Sequence, residues 1–257
     1  MTPLHRIKLF ASIFLFLALK INCVRSQDLP PLQADRPDQT ESPYTVPLKH
    51  FQAEIGFALE KVNSEDKNYF YPASLWKYGL TQNLEFRLTT ELLTNRSGDI
   101  TTNGFNPISI GFKINICKEK GIIPMTSFIG HISIPALGSK YFKSSYMVPG
   151  FRFTMQHSLS DWISLGYNLG AEWDGETAEP ILIYTLTSGF SFTDKFGGYI
   201  EIYGFDPIDH KADHRADLGF TYYITDNILI DVSGGPGLTD NAPDYFFALG
   251  FSIRLPD

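Results

Sequence analysis

Residues 245–255 read YFFALGFSIRL, and this stretch decides the fold. Large apolar side chains occupy every odd position from Tyr245 to Leu255, whereas the even positions from Ala248 to Arg254 are small or polar. Successive side chains of a β-strand point to opposite faces, so this strand has one apolar face and one small or polar face. A tilted strand of about 9–11 residues crosses the hydrocarbon core of a bilayer. The stretch therefore predicts a membrane-spanning β-strand.

The same alternation recurs along the chain from residue 51 onward. It predicts twelve strands, near residues 51–62, 69–80, 83–92, 104–116, 122–134, 146–157, 161–173, 181–193, 197–206, 215–224, 227–237 and 245–255. An even number of strands joined by polar turns fits a closed barrel with lipid outside and polar groups inside. We therefore expect an all-β fold, a transmembrane antiparallel up-and-down β-barrel of about twelve strands.

The predicted connections alternate between short and long. Short turns are expected near residues 81–83, 118–121, 160–161, 194–195 and 226–227, and longer loops near 63–68, 93–103, 135–145, 174–180, 207–214 and 238–244. Outer-membrane barrels have short periplasmic turns and longer external loops, so both ends of the barrel chain are expected on the periplasmic side. The strands of a β-sandwich also alternate apolar and polar residues. A sandwich, however, would not require alternating short and long loops or an aromatic-rich apolar face.

The N-terminus has the pattern of a secretion signal. His5, Arg6 and Lys8 precede an apolar run at residues 9–19, which is too short for a transmembrane helix. We expect a Sec-type signal peptide at residues 1–26, an extended periplasmic leader or plug segment at 27–50, and the barrel at 51–257. Cys23 leaves a lipoprotein signal open, although the residues before it are not the small ones that such a signal prefers.

Charge and cysteine content narrow the function classes. Loss of residues 1–26 would remove four of the 21 Lys and Arg residues and none of the 28 Asp and Glu residues, which leaves a net charge of −11. This acidic balance argues against nucleic acid as a partner, because phosphate binding needs a basic surface. Only Cys117 would remain, so we expect neither a disulfide framework nor a Cys-based metal site, and no metal or cofactor is assigned.

The alternation also assigns charged side chains to the inner face of the barrel. Such mixed charges fit either a selective pore or a salt-bridged lumen that fills the barrel. Twelve strands lie between filled eight-strand barrels and open 16–18-strand porins, so a narrow or gated path is expected. The pore-lining candidates are Glu54, Glu85, Arg87, Lys113, Arg152, Glu201, Asp231 and Arg254.

The leader carries four plug candidates, Asp35, Arg36, Asp38 and Glu41. Prolines keep this segment out of helix and central strand. At about 3.3–3.6 Å per residue, the stretch from Asp35 to Pro47 could reach well into the barrel. We expect Arg36 to meet Glu54 or Glu85 on the inner face. The alternative is a flexible spacer outside the barrel mouth.

One catalytic hypothesis concerns His131 and Ser133. Their His-x-Ser spacing is also seen in outer-membrane phospholipase A and in a lipid A deacylase, and residues two apart share one face of a strand. The predicted register, however, points both side chains inward, whereas a lipid hydrolase needs them to face lipid. No catalytic residue is therefore assigned, and an outer-membrane lipid hydrolase is the less favoured hypothesis.

Residues 35–47, DRPDQTESPYTVP, and the strand that begins FQAEIG at Phe51 carry a family resemblance. They resemble the opening signature of the outer-membrane barrel family described as "putative MetA-pathway of phenol degradation", whose members are commonly regarded as transporters. The resemblance continues more loosely, through turns with the sequence Thr-Asp at residues 193–194 and 225–226, to the C-terminus. One departure is the end of the sequence, Leu-Pro-Asp, where many outer-membrane proteins have an aromatic residue.

The resemblance implies a Gram-negative outer-membrane barrel that moves small molecules, aromatic ones among them, and it implies no enzymatic step. The combined expectation is a monomeric outer-membrane channel or transporter in contact with outer-membrane lipids, reached after export. The alternative is a closed structural or surface-interaction barrel that transports nothing.

Overall fold

The computed structural model describes residues 29–208 and 210–255, and the barrel lies in the unit that begins at Pro31. The predicted signal peptide, residues 1–26, lies outside the described residues. The strands are β1 (Phe51–Lys61), β2 (Asp66–Gly79), β3 (Leu84–Ser97), β4 (Ile100–Phe105), β5 (Ile108–Cys117), β6 (Met125–Ile134), β7 (Val148–Ser158), β8 (Ile163–Glu172), β9 (Ile181–Ser191), β10 (Phe196–Pro207), β11 (Asp213–Thr225), β12 (Ile228–Pro236) and β13 (Tyr245–Leu255). A 3-10 turn at Pro135–Leu137 follows β6.

The strands form a closed antiparallel ring. β1 pairs with both β2 and β13, so that Phe51 lies opposite Tyr78 on one side and Leu255 on the other. β4 and β5 both pair with β3 and occupy one position in the ring, interrupted at residues 106–107. A proline at this break is expected, because proline cannot donate a hydrogen bond to the sheet. The predicted twelve-strand barrel is confirmed.

The loop predicted near residues 93–103 is wrong. β3 continues to Ser97, and β4 begins at Ile100 after a tight turn in which Gly98 has φ +55°. Leu92 to Ser97 pair with Phe105 to Ile100 as a long hairpin. Residues around this turn are polar on both strand faces, so the apolar alternation that marks the other strands is missing.

Several short turns share one construction that the sequence repeats. In the turn between β2 and β3, the amide of Leu80 donates to the carbonyl of Leu84 at 2.9 Å, and the Thr81 hydroxyl accepts from the amides of Asn83 and Leu84. Ser160 and Thr193 have the same role in the turns after β7 and β9. Side chains of this kind satisfy turn amides that have no partner in the sheet.

The two faces of the barrel are inverted relative to a water-soluble protein. Large apolar side chains such as Phe112 and Leu249 point outward and are 43% and 48% exposed, whereas Glu85 and Lys113 point inward and are 0% exposed. An apolar outer band around a polar interior is the arrangement of outer-membrane barrels. In the described ranges, no helix is long and apolar enough to span a bilayer.

Candidate functional site

Residues 31–50, called the leader from here on, enter and leave the lumen at the same end of the barrel. The amide of Leu32 donates to the carbonyl of Asp226 in the short turn between β11 and β12, at 2.8 Å. At the other end, the amide of Lys49 donates to the carbonyl of Gly79, which adjoins the short turn after β2, also at 2.8 Å. Lys49 has φ +63°, a left-handed conformation that turns the chain from the leader into β1.

Asp35 is the most heavily bonded charge of the leader. Its carboxylate accepts from Nζ of Lys113 at 2.7 Å, Nη1 of Arg87 at 2.9 Å and Nζ of Lys77 at 3.0 Å. These three cations project from the neighbouring strands β5, β3 and β2. Asp35 lies outside the membrane-spanning strands; burial opposes its ionisation, but the cations outweigh burial and hold the pKa of Asp35 well below its usual range.

Carboxylates of the barrel wall bind the backbone of the leader. An extended segment without sheet partners leaves its amides unsatisfied, and a buried amide needs an acceptor. Three glutamates on separate strands accept them as charge-assisted hydrogen bonds of 2.7–3.0 Å. Glu54 accepts from the amides of Asp35 and Arg36, Glu85 from that of Val46, and Glu201 from those of Gln39 and Thr40.

The predicted side-chain partner of Arg36 is wrong. Its guanidinium pairs with Asp231, with Nη2–Oδ1 at 2.8 Å and Nε–Oδ2 at 3.3 Å, and only its backbone amide reaches Glu54. The reason is a row of small residues: Gly56 on β1 lies opposite Gly250 on β13, which lies opposite Asp231 on β12. The guanidinium occupies the space above both glycines, where a Cβ on Gly250 would come within 2.6 Å of Nε.

Replacing Gly56 by Ala should release Arg36 without removing a charge. The added methyl group would overlap only the flexible end of the Arg36 side chain, so β1 can keep its backbone. Loss of this charge-assisted pair should weaken the anchoring of the leader by about 1.5–3 kcal/mol. Gly56→Ala and Arg36→Ala should raise single-channel conductance to a similar, partial extent. The double variant should add little, because both changes remove one interaction; additive effects would contradict the assignment.

The other candidates occupy different places along the leader and the wall. Glu41 pairs with Arg87, and Arg152 donates to the carbonyl of Gln39 at 3.2 Å. Arg254 instead donates to the side-chain oxygen of Asn227, in the short turn between β11 and β12, at 2.7 Å. A role of these side chains in lining a pore stays a prediction.

Charge-based reasoning missed several uncharged wall residues that hold the leader, and Asn168 and Ser127 are two examples. Asn168 on β8 accepts from the amide of Glu41 at 2.8 Å and donates to its carbonyl at 3.0 Å. Ser127 on β6 donates to the carbonyl of Pro43 at 2.5 Å. Both are fully buried and lie on the inner parity of their strands, which is the signal that could have identified them.

A cavity of about 270 Å³ remains beside the leader. Asp38 of the leader, Thr187 of β9 and Tyr199 of β10 border this cavity. Lys195, in the short turn between β9 and β10, borders it as well. Hydroxyl groups dominate this wall, so it can hydrogen-bond a polar solute or water. Across residues 29–208 and 210–255, no group of three or more His, Cys, Asp or Glu side chains is placed to hold a metal ion.

Comparisons with known proteins agree with this architecture. A family model described as "Putative MetA-pathway of phenol degradation" matches residues 34–255. An outer membrane channel from Pseudomonas putida F1 has a TM-score of 0.62 at 12% sequence identity, over 85% of this chain and 99% of that chain. The NanC porin reaches a TM-score of 0.52 at 10% identity, over 80% of this chain and 100% of that chain. The KdgM porin reaches 0.50 at 12% identity, over 78% and 98%.

No curated protein matches the chain in sequence. At identities this low, the likeness to solved structures establishes a shared barrel fold alone.

Proposed function

The family match covers most of the chain, so the protein belongs to the family described as "Putative MetA-pathway of phenol degradation", and from this we propose a channel for small molecules, aromatic ones among them. The barrel fold and its channel neighbours point to the outer membrane of a Gram-negative bacterium. An apolar outer face and a charged inner face suit the passage of water-soluble solutes through lipid. The protein would work as a monomer in contact with outer-membrane lipids, after removal of residues 1–26.

We propose further that the leader restricts the path. The observation that carries this proposal is the position of the leader within the lumen, where wall residues bond both its side chains and its backbone. Asp35 and Thr40 are both buried, as are their wall partners Lys113 and Glu201. A solute would therefore have to use the cavity beside the leader or displace the leader.

Single-channel recording in planar bilayers tests the channel. The purified barrel should conduct in steps smaller than those of a general porin, and liposomes that contain it should swell in small solutes that lipid alone excludes, such as arabinose. If no small solute caused the liposomes to swell and the recordings showed no current steps, the channel would be contradicted.

A closed barrel is the second candidate, and one contact favours it. Arg215 on β11 reaches Glu60 on β1 at 2.7 Å, so an ion pair links strands on either side of β12 and β13. Together with the leader, such links could fill the lumen and stiffen the barrel. In that case the loops would carry the function, and the recordings would stay silent even when the leader is removed.

The lipid-hydrolase hypothesis gains no support from the site. His131 faces the lumen, where its ring adjoins Gly150 of β7, and Ser133 shares that face, while Ile132 between them is 38% exposed on the outer surface. A hydrolase of membrane lipid would need the opposite orientation. If the protein released fatty acid from phospholipid and Ser133→Ala abolished the release, the channel would not be its only activity.

A further inference from the structure

Lys113 depends on the leader for all of its described hydrogen bonds. Its ammonium group is fully buried and donates to Oδ1 of Asp35 at 2.7 Å, to the carbonyl of Ser42 at 2.9 Å and to that of Tyr44 at 3.4 Å. Each of these acceptors belongs to the leader. Among the described residues, then, no hydrogen bond or ion pair joins this ammonium group to the wall.

The two neighbouring cations differ from Lys113 in this respect. Lys77 also pairs with Glu54 of the wall, and Arg87 also pairs with Glu85 at 3.2 Å. The wall thus presents three convergent cations and supplies carboxylates for two of them. Without the leader, one positive charge at this place would lack compensation.

We propose that Lys77, Arg87 and Lys113 form a binding site for the carboxylate group of a solute, and that Asp35 is its tethered occupant. The proposal rests on the channel function above and names a class of molecule that could open it. The two oxygens of Asp35 are divided between donors: Lys113 binds Oδ1, whereas Lys77 and Arg87 bind Oδ2. A planar anion with two oxygens fits this division, since Arg and Lys donors bind carboxylates through short charge-assisted hydrogen bonds.

Exchange between Asp35 and a free carboxylate would couple binding to opening. A buried ammonium group without a partner is unfavourable, so the leader leaves this site more readily when another anion enters. The leader is covalently attached, so its carboxylate competes at a high effective concentration, which is of millimolar order for short tethers. Removing the charge of Asp35 should therefore expose the intrinsic affinity of the site.

Isothermal titration of the protein without residues 1–26, in detergent micelles, tests this, with propionate as the probe and propionamide as its neutral control. Asp35→Asn should bind propionate at least about tenfold more tightly than the parent, because the tethered competitor is gone. Asp35→Glu keeps the charge and should remain close to the parent. Lys113→Gln added to Asp35→Asn should abolish binding, whereas Lys195→Gln, an equal change of charge beside the cavity, should not.

A second measurement covers the case in which Asp35→Asn does not fold. In a Cys117→Ser background, Tyr44→Cys should react faster with a water-soluble maleimide when propionate is present, and propionamide should have no effect. Equal affinities of Asp35→Asn and Asp35→Glu, or propionate binding that survives Lys113→Gln, would overturn the site. Binding is measured without conduction, so a barrel that binds propionate but never conducts would contradict only the channel. A conducting barrel whose Asp35→Asn variant ignores propionate would contradict only this inference.

Discussion

Deletion of residues 30–47 should raise solute flux by about an order of magnitude, because a filled lumen, like that of an eight-strand barrel, would become a water-filled one. The barrel should still fold. The wall pairs Lys77–Glu54 and Arg87–Glu85 remain in the deletion variant, and water that enters the lumen can solvate Lys113. Single-channel conductance in planar bilayers is the direct measurement, with the barrel checked by its heat-dependent gel mobility.

Arg36→Ala is the matched control for this deletion. It removes one anchor, the pair with Asp231, and leaves the bonds of Asp35 and the wall-to-backbone bonds in place. Its conductance should lie between those of the parent and the deletion variant. Equal conductance of the deletion variant and the parent would mean that the leader is only a spacer and that another element sets the pore.

Leu249→Arg should destabilise the barrel by about 2–4 kcal/mol if the residue lies near the bilayer midplane. The side chain projects from the outer face of β13, and an arginine there would meet hydrocarbon. Phe112→Arg and Phe153→Arg should be comparably unfavourable, although they also remove ring contacts with Phe128. A urea titration of folding into lipid vesicles measures the difference.

Ser109→Arg is the control, since Ser109 is half-buried on the inner face of β5, where a polar lumen can accept a charge. Inner positions are not interchangeable for this purpose. Thr154 and Ser252 are fully buried, with hydroxyl groups that have no partner among the described residues, so an arginine there would be costly for steric reasons. If Ser109→Arg cost as much as Leu249→Arg, the assigned faces would be wrong.

The fold could be predicted because every membrane-spanning strand places one apolar face against lipid. Large apolar residues therefore recur at every second position of the strand. The predicted strand and loop boundaries were wrong where the chain has no face against lipid. Residues 93–103 form the polar hairpin of β3 and β4, which has no apolar face, and the break at residues 106–107 divides one predicted strand into two segments. Both deviations are local and leave the ring of twelve positions intact.

The candidate site was only partly predictable. Strand parity identifies which charges point inward, but it does not say which of them meet, because the partners come from a segment without periodicity. Arg36 shows the limit: its partner is decided by the space above Gly56 and Gly250, and glycines carry no charge signal. The sequence also does not indicate which leader amides donate to Glu54, Glu85 and Glu201, because every residue except proline has such an amide.

Both ends of the leader lie at one mouth of the barrel, beside Asp226 and Gly79. Because the leader enters and leaves the lumen through the same opening, it does not pass through the barrel from one side to the other and crosses no strand. The barrel can therefore close first and receive the leader afterwards, and the leader can slip out without unzipping a single pair of strands. Assembly of the wall and occupation of its interior are thus separable events in time, and each can be followed by its own probe.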